Sequence, residues 1–248
     1  MKLSKKGTRK MKTTKIDWCD CTINPVVGCK NGCPYCYAEK LNKRFGFIPN
    51  WKEPRFFPER LKALESKTPK TIFMDSMSDV SWWQEEWGNE VFKAMQNNPQ
   101  HSYIFLTKGG TYPAGIHSIW ALRDIVEGGC QRRNIFIGRS ITNDRQFDCS
   151  WHYDFLSIEP ILEPIDLKSI EHSLYIKSVI IGAETGNRKG KVIPKKEWIT
   201  DIVKHCDAAH VRVFMKESLR QIMGDEFRQD TLPWYEHTRR NQDEGNFN

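Results

Sequence analysis

The sequence lacks any long hydrophobic run, and no apolar stretch approaches the ~18 residues that a membrane-spanning helix requires. The N-terminus also lacks the apolar segment of a secretory signal peptide. These absences predict a cytoplasmic protein that does not cross a membrane. No internal repeat occurs, and no low-complexity block lies beyond the first 15 residues, which excludes a repeat array. The 248 residues therefore suit one large domain, the size of a single α/β barrel.

Most of the chain also lacks net charge. The formal charge of +7 belongs to residues 1–15, which hold seven basic groups and no acidic group. Residues 16–248 carry 31 basic and 31 acidic residues. We therefore predict a basic leader over residues 1–15. Such a segment is either a solvated, disordered tail or a means of holding nucleic acid by its phosphates.

Cysteine, in contrast, is abundant and clustered. Five of the eight cysteines lie within residues 19–36, and a cytosolic chain of this size does not need disulfides, so the cluster indicates a metal site. Cys29, Cys33 and Cys36 have the spacing C-x3-C-x2-C. Three thiolates on one loop can bind three irons of a [4Fe-4S] cluster and leave the fourth iron open to another ligand. The alternatives are a zinc site completed by Cys19 or Cys21, and ordinary buried cysteines.

The other three cysteines are predicted to be inert small hydrophobes, with hydrogen-atom donation by one of them as the alternative. They are Cys130, Cys149 and Cys206.

Short apolar runs without alternation predict strands that are covered on both faces, as in parallel sheets. The predicted strands are Ile16–Thr22, Thr71–Asp75, Ser102–Leu106, Asn134–Gly138, Tyr153–Ile158, Ser178–Gly182 and Val211–Met215. Helices are predicted between them, one with Tyr37, Leu41 and Phe45 on one face, and two over Glu85–Asn97 and Lys195–Ala209. This alternation predicts an α/β fold, a partial or complete parallel (βα) barrel of six to seven strands, with a doubly wound open sheet as the alternative.

Polar residues follow nearly every predicted strand, which indicates a shared polar mouth at the carboxyl ends, where barrel enzymes place their chemistry. The first strand leads to the cysteine loop, and the later ones lead to Ser76, Lys108, Arg139 and Glu159. The barrel domain is predicted to span residues 16–218. Residues 219–248 are expected to form a C-terminal tail or lid.

The cysteine spacing, with Tyr35 in the aromatic position before the third cysteine, resembles the radical S-adenosylmethionine (SAM) superfamily. The resemblance implies a [4Fe-4S] cluster that binds and cleaves SAM, Tyr35 packed near the adenine, and an external electron donor such as flavodoxin or ferredoxin.

Over about residues 16–218 the chain resembles more closely a family of small phage-associated radical-SAM-like proteins of unsettled activity. A shorter and weaker resemblance is to spore photoproduct lyases, which repair a thymine lesion in DNA. The segments that carry the closer resemblance are Thr22–Cys29, Cys33–Glu39, Phe73–Asp79, Phe105–Lys108, Ser157–Pro160, Ile181–Gly186 and Phe214–Lys216. Two departures are the Gly-Gly pair after Lys108 and Ala183 in place of a common glycine.

The superfamily resemblance assigns SAM contacts to residues after two strands. Ser76, Ser78 and Asp79 are expected to hold its amino and carboxylate groups, or else to cap a helix. Ser140 and Asn143 are expected to bind the ribose hydroxyls, with capping again the alternative. For a carboxylate or phosphate, Arg139 supplies a bidentate guanidinium.

Three further residues at strand ends are candidate catalytic groups: Glu159, Glu184 and Lys216. The alternative for either glutamate is a structural ion pair, for example with Lys108 or Lys216. The predicted function is a radical SAM enzyme acting on a nucleic-acid base or nucleotide. The alternatives are a non-catalytic iron–sulfur or zinc module, and an enzyme acting on a small metabolite or a peptide.

Overall fold

A computed structural model describes residues 14–109, 134–147 and 152–245. Seven parallel strands form one sheet in the order β1-β4-β5-β6-β7-β8-β9, and the sheet curls into a half-barrel. Its strands are β1 (Cys21–Thr22), β4 (Thr71–Phe73), β5 (Ser102–Thr107), β6 (Ile135–Ser140), β7 (Phe155–Ile158), β8 (Ser178–Ile181) and β9 (Arg212–Met215). The predicted partial parallel barrel is confirmed. Most of the basic leader, together with Cys130 and Cys149, lies outside the described residues.

The first strand is shorter than its predicted range of Ile16–Thr22. Before β1 the chain is held by Asp20, whose backbone N–H donates to the Thr71 carbonyl at 2.9 Å and whose carboxylate accepts from the Thr71 N–H at 2.7 Å. This side-chain contact replaces the ladder that a longer strand would make.

In the described residues five α-helices accompany the sheet: α1 (Tyr37–Phe45), α2 (Glu85–Gln96), α3 (Lys196–Ala208), α4 (Arg220–Met223) and α5 (Pro233–Gly245). The three predicted helices are present, and the ends of α2 and α3 differ from the predicted ranges by no more than a residue. A 3-10 segment, Pro58–Glu65, and a two-residue antiparallel pair, β2 (Val26–Val27) with β3 (Arg55–Phe56), fill the long connection after α1. No helix in the described residues has the length and apolarity to cross a bilayer.

Both faces of the sheet are apolar, as the unalternating runs predicted. On the convex face, Tyr103 and Phe105 belong to one cluster with Val91 and Met95 of α2. A second cluster on that face joins strands β7 to β9 to α3 and includes Cys206, which is a buried core residue as predicted.

The concave face carries large aromatic side chains that fill the half-barrel. Phe136, Phe155 and Phe214 pack there around Trp234, which is fully buried. Gly138 makes room for this packing, because a Cβ at that position would lie 2.3 Å from the Phe155 ring.

Helix α5 supplies Trp234 and closes the amino-terminal end of the sheet. The Ser102 hydroxyl, at the start of β5, donates to the Trp234 carbonyl at 2.9 Å. Thr71, at the start of β4, contacts the Thr238 hydroxyl at 3.0 Å. Helix α5 therefore packs at the end of the sheet opposite the carboxyl ends of the strands, and Trp234 belongs to the core.

Candidate functional site

The cysteine loop begins directly after β2 and is tied to the carboxyl end of β4. The Gly28 N–H donates to the Met77 carbonyl at 2.9 Å, and the Cys29 N–H donates to the Trp51 carbonyl at 2.9 Å. Gly28 has a φ of 113°, and a Cβ there would lie 2.8 Å from the Cα of Pro54. Glycine is therefore required at this position both for its backbone conformation and for the close approach of the next segment.

The three cysteines of the loop are free, partly buried thiols. The Asn31 N–H approaches Cys29 Sγ at 3.5 Å, and the Glu39 N–H approaches Cys36 Sγ at 3.4 Å. Cys36 also caps the N-terminus of α1. Burial raises the pKa of Cys29 to about 12, so this thiol is protonated and would release a proton on binding a metal.

This donor set fits an iron–sulfur cluster in its chemistry. Thiolates are the usual ligands, and hydrogen bonds to their sulfurs help to set the cluster potential. Cys21 belongs to the apolar cluster on the convex face beside α2, and Cys19 belongs to the cluster on the concave face, whereas Cys29 and Cys36 pack against Val27 and its neighbours. Cys19 and Cys21 were the proposed fourth ligands of a zinc site. Among the described residues no group of three or more His, Cys, Asp or Glu side chains is arranged to hold a metal ion.

Asp79 is the hydrogen-bonding centre of the mouth. One carboxylate oxygen accepts from the Ser81 N–H at 2.9 Å and the Thr107 hydroxyl at 2.8 Å. The other accepts from the Asn31 side chain at 2.7 Å and the Lys108 N–H at 2.9 Å. The side chain is buried, and four donors occupy it. Asp79 therefore holds together the cysteine loop and the ends of β4 and β5, and it caps the short 3-10 turn Val80–Trp82 as the capping alternative supposed.

Ser76 and Ser78 have partners in the same segment. The Ser76 hydroxyl donates to the Asn24 side chain at 3.0 Å, and its carbonyl accepts from the Tyr37 hydroxyl at 2.7 Å. The Ser78 hydroxyl accepts from the Trp83 indole at 3.0 Å and keeps its own proton to donate. The segment after β4 is thus held by hydrogen bonds to Asn24, to Tyr37 of α1 and to Trp83.

Tyr35, Lys108, Arg139 and Ser140 meet at the ends of β5 and β6. The Lys108 ammonium lies 5.5 Å from the Tyr35 ring centre and donates to the Ser140 hydroxyl. Arg139 donates to the Gly109 carbonyl. Burial lowers the pKa of Lys108, although Cys33 and nearby carboxylates act in the opposite direction. The Lys108 ammonium therefore lies within electrostatic reach of Cys33 in the cysteine loop.

Asn143 lies three residues beyond β6, at the start of the turn Asp144–Gln146. Its side-chain oxygen is buried and has no hydrogen-bond partner among the described residues, and it makes no capping bond. A buried acceptor without a donor is costly, and a ligand hydroxyl would satisfy it.

Glu159 and Lys216 form an ion pair of 2.7 Å across the ends of β7 and β9. Gly182, at the end of β8 between them, leaves the space, because a Cβ there would lie 2.9 Å from the Lys216 side chain. Burial acts to lower the pKa of Lys216, but Glu159, with smaller contributions from Asp17 and Cys19, acts in the opposite direction, and the pKa is raised. Both predicted residues therefore lie at the mouth as a charged pair.

Glu184 is engaged in a different way. Arg188, four residues on, binds its carboxylate with two hydrogen bonds of 2.6 and 2.7 Å, and Glu184 is buried. The ion-pair alternative describes this residue, with Arg188 as its partner instead of Lys108 or Lys216. Its carboxylate braces the loop after β8.

Several residues of the mouth were not predicted from the sequence. Asn24 and Asn31 hold the segments around the cysteine loop, and Tyr37 reaches Ser76. Asp75 is buried at the end of β4 and accepts from the Leu106 N–H at 3.1 Å. Their position inside or beside the Thr22–Cys29, Cys33–Glu39 and Phe73–Asp79 segments is the signal that could have identified them.

Fold and site together define an α/β half-barrel protein whose polar residues and three-cysteine loop gather at the carboxyl ends of the parallel strands. The chain belongs to the family described as "Protein of unknown function (DUF5131)", whose family model matches residues 13–231. No curated protein and no solved structure matches the chain.

Proposed function

We propose that the protein is a radical SAM enzyme in which Cys29, Cys33 and Cys36 bind a [4Fe-4S] cluster. The observation that carries the proposal is the placement of the C-x3-C-x2-C loop at the carboxyl ends of a parallel half-barrel, where such folds hold their reactive groups. When bound, the cluster supplies the electron that cleaves SAM to methionine and a 5′-deoxyadenosyl radical. The three thiols hold the cluster, and the surrounding residues position the ligand.

The SAM-binding roles follow from the contacts of the mouth. The buried, unpartnered oxygen of Asn143 accepts a ribose hydroxyl, and Tyr35 packs beside the adenine. Ser78 has a hydroxyl proton left to donate. Because four donors already occupy Asp79, we assign it the positioning of the cysteine loop and not direct contact with the SAM ammonium.

Glu159 and Lys216 are proposed as the groups that face the substrate, since they form a charged pair at the mouth. The substrate is proposed to be a nucleic-acid base or nucleotide, and an external flavodoxin or ferredoxin is proposed as the electron donor. The six cysteines in the described residues are all free thiols, which suits a reducing cytoplasm.

Iron analysis tests the cluster directly. Anaerobically purified protein is expected to be brown and to hold about four irons and four acid-labile sulfides per chain. Cys29→Ala, Cys33→Ala and Cys36→Ala should each lose this iron, whereas the control Cys206→Ala, in the core beside α3, should keep it. Full iron in all three loop variants, or stoichiometric zinc in the native protein, would overturn the proposal.

SAM turnover separates an enzyme from a non-catalytic module. With a strong reductant, the iron-loaded protein should convert SAM to 5′-deoxyadenosine and methionine. Absence of 5′-deoxyadenosine from a fully loaded sample, even with cell extract as a source of substrate, would instead favour the non-catalytic alternative.

A further inference from the structure

Exposed hydrophobic side chains are concentrated beside the cysteine loop. Among the described residues seven large hydrophobic side chains are exposed. Three of these lie on α1, one lies just after it, and a fifth is Trp82. These five are Tyr37, Leu41, Phe45, Phe47 and Trp82. Trp82 reaches the loop itself, because its indole donates to the Asn31 side chain at 2.6 Å.

Helix α1 exposes its large apolar residues, whereas an ordinary surface helix buries them. Its buried residues are Ala38 and Asn42, whereas Tyr37 and Phe45 are 51% and 58% exposed. A surface helix normally directs its apolar stripe toward the core. The apolar face of α1 is therefore available to an outside partner.

Cations are interleaved with these rings. The Arg44 guanidinium lies 5.1 Å from the centre of the Phe45 ring, and the Lys30 ammonium lies 5.4 Å from that of Trp82. Lys40 and Lys43 are also exposed on α1, and Lys43 pairs with Glu39 at 2.9 Å. We name the five hydrophobic residues and these four cations the α1 surface.

Two further exposed lysines, Lys189 and Lys191, lie in the loop that follows β8, just after Arg188. They are not counted in the α1 surface.

We propose that the α1 surface binds single-stranded nucleic acid and leads it into the mouth. Exposed rings offer stacking platforms to unpaired bases, and interleaved Lys and Arg offer contacts to phosphates. The positive charge alone would also suit an acidic protein as the partner. The rings favour nucleic acid, because four of the five hydrophobic residues are aromatic and two of these have a cation over the ring. This inference rests on the nucleic-acid substrate of the proposed function and assigns it an entry surface.

Fluorescence anisotropy with labelled oligo(dT) and oligo(U) of about 20 nucleotides tests the proposal on the full chain. Phe45→Ala/Phe47→Ala should weaken binding by about tenfold or more, because each stacked base contributes about 1–3 kcal/mol. Lys40→Gln/Lys43→Gln/Arg44→Gln should reduce the slope of log K against log salt by about 2, since each single-strand phosphate contact contributes about 0.7. Measurements span about 50 to about 200 mM salt.

The controls are Leu174→Ala and Lys177→Gln, which lie just before the amino-terminal end of β8, away from the mouth. Native-like affinity in both controls supports the proposal. The proposal is overturned if the native protein does not bind at about 50 mM salt, or if the phenylalanine variant binds within twofold of native. Equal affinity of the native protein for a duplex and for the single strand also overturns it. So does the finding that the α1-surface variants lose binding to an acidic ferredoxin while their oligonucleotide binding is unchanged.

Iron is measured on the same preparations, so failure of the cluster and failure of this surface are distinguishable. Native protein that lacks iron but binds oligonucleotide through Phe45 and Phe47 would overturn the cluster proposal and support this one. Protein that holds iron but does not bind oligonucleotide would support the cluster proposal and overturn this one.

Discussion

Asn31 and Asp79 are joined by a hydrogen bond of 2.7 Å that links the cysteine loop to the segment after β4. Three other donors reach the same carboxylate, so the loop and the ends of β4 and β5 share one buried anchor. The order of the cysteine loop therefore depends on a residue that is 43 positions away from its last cysteine.

Asp79→Asn is expected to destabilise the protein, because the new amide group faces the Asn31 and Lys108 donors and leaves buried groups unsatisfied. An unsatisfied buried group costs about 1–3 kcal/mol. Urea denaturation of the apo protein should show this loss, with Asn31→Ala giving a smaller one. Unchanged stability combined with a large loss of SAM affinity in calorimetry would instead show that Asp79 contacts the SAM ammonium directly.

The pair of Glu159 and Lys216 gives a prediction about lysine reactivity. Burial acts to lower the pKa of Lys216, whereas Glu159, with Asp17 and Cys19, acts to raise it, and the net shift is upward. In Glu159→Gln the main opposing charge is lost, so the Lys216 pKa should fall and more of its amine should be neutral at alkaline pH. Timed acetylation followed by mass spectrometry should show faster modification of Lys216 in the variant, whereas the exposed Lys168 should react at an unchanged rate. Equal Lys216 rates would contradict the ion pair.

Asp75 predicts a pH dependence of stability. Burial, and secondly the neighbouring Asp79, raise the pKa of Asp75 well above its ordinary value of 3.8. Its contribution to stability is therefore fully present below 3.8 and is lost as the pH rises through the folded-state pKa. Asp75→Asn carries no such loss. The free energy of unfolding of the variant, relative to native, should therefore increase as the pH rises above about 4.

Chemical denaturation at a series of pH values checks this expectation. Asp166→Asn, at an exposed carboxylate whose pKa is lowered by the Lys168 N–H, serves as the control and should show the opposite sign of pH dependence. A difference between Asp75→Asn and native protein that is constant with pH would contradict a protonated Asp75.

The strand pattern was predictable because each strand is buried on both faces and reads as a short apolar run. All seven predicted strands and the three predicted helices are found. The β2–β3 pair was not predictable, since two-residue strands have no periodicity. Helix α5 was also missed, because only its first turn, with Trp234, is strongly apolar and the rest is polar.

The candidate site was predictable only in part. Their positions at strand ends identified Glu159 and Lys216 as residues of the mouth. Their ion pair could not be predicted, because the two residues are 57 positions apart in the sequence. Glu184 and Arg188 are four residues apart in a loop, where helical spacing gives no guidance, so the bidentate contact appears only in three dimensions. The exposure of Tyr37, Leu41 and Phe45 was likewise not predictable, because amphipathic spacing predicts a helix but not which side of it the fold covers.

Trp234 supplies the last prediction. It lies fully buried on the concave face, its ring centre is 4.9 Å from that of Phe155, and its indole donates to the Trp18 carbonyl at 2.9 Å. Trp234→Ala should lower the free energy of unfolding by about 3–5 kcal/mol, the usual cost for a large buried aromatic. Trp234→Phe, which keeps an aromatic ring but loses part of the indole and its hydrogen bond, should cost less. A lid could be truncated without loss of fold, whereas removal of residues 233–248 should expose the concave face and abolish the cooperative unfolding transition in circular dichroism. A truncated protein with native thermal stability would show that α5 is dispensable to the core.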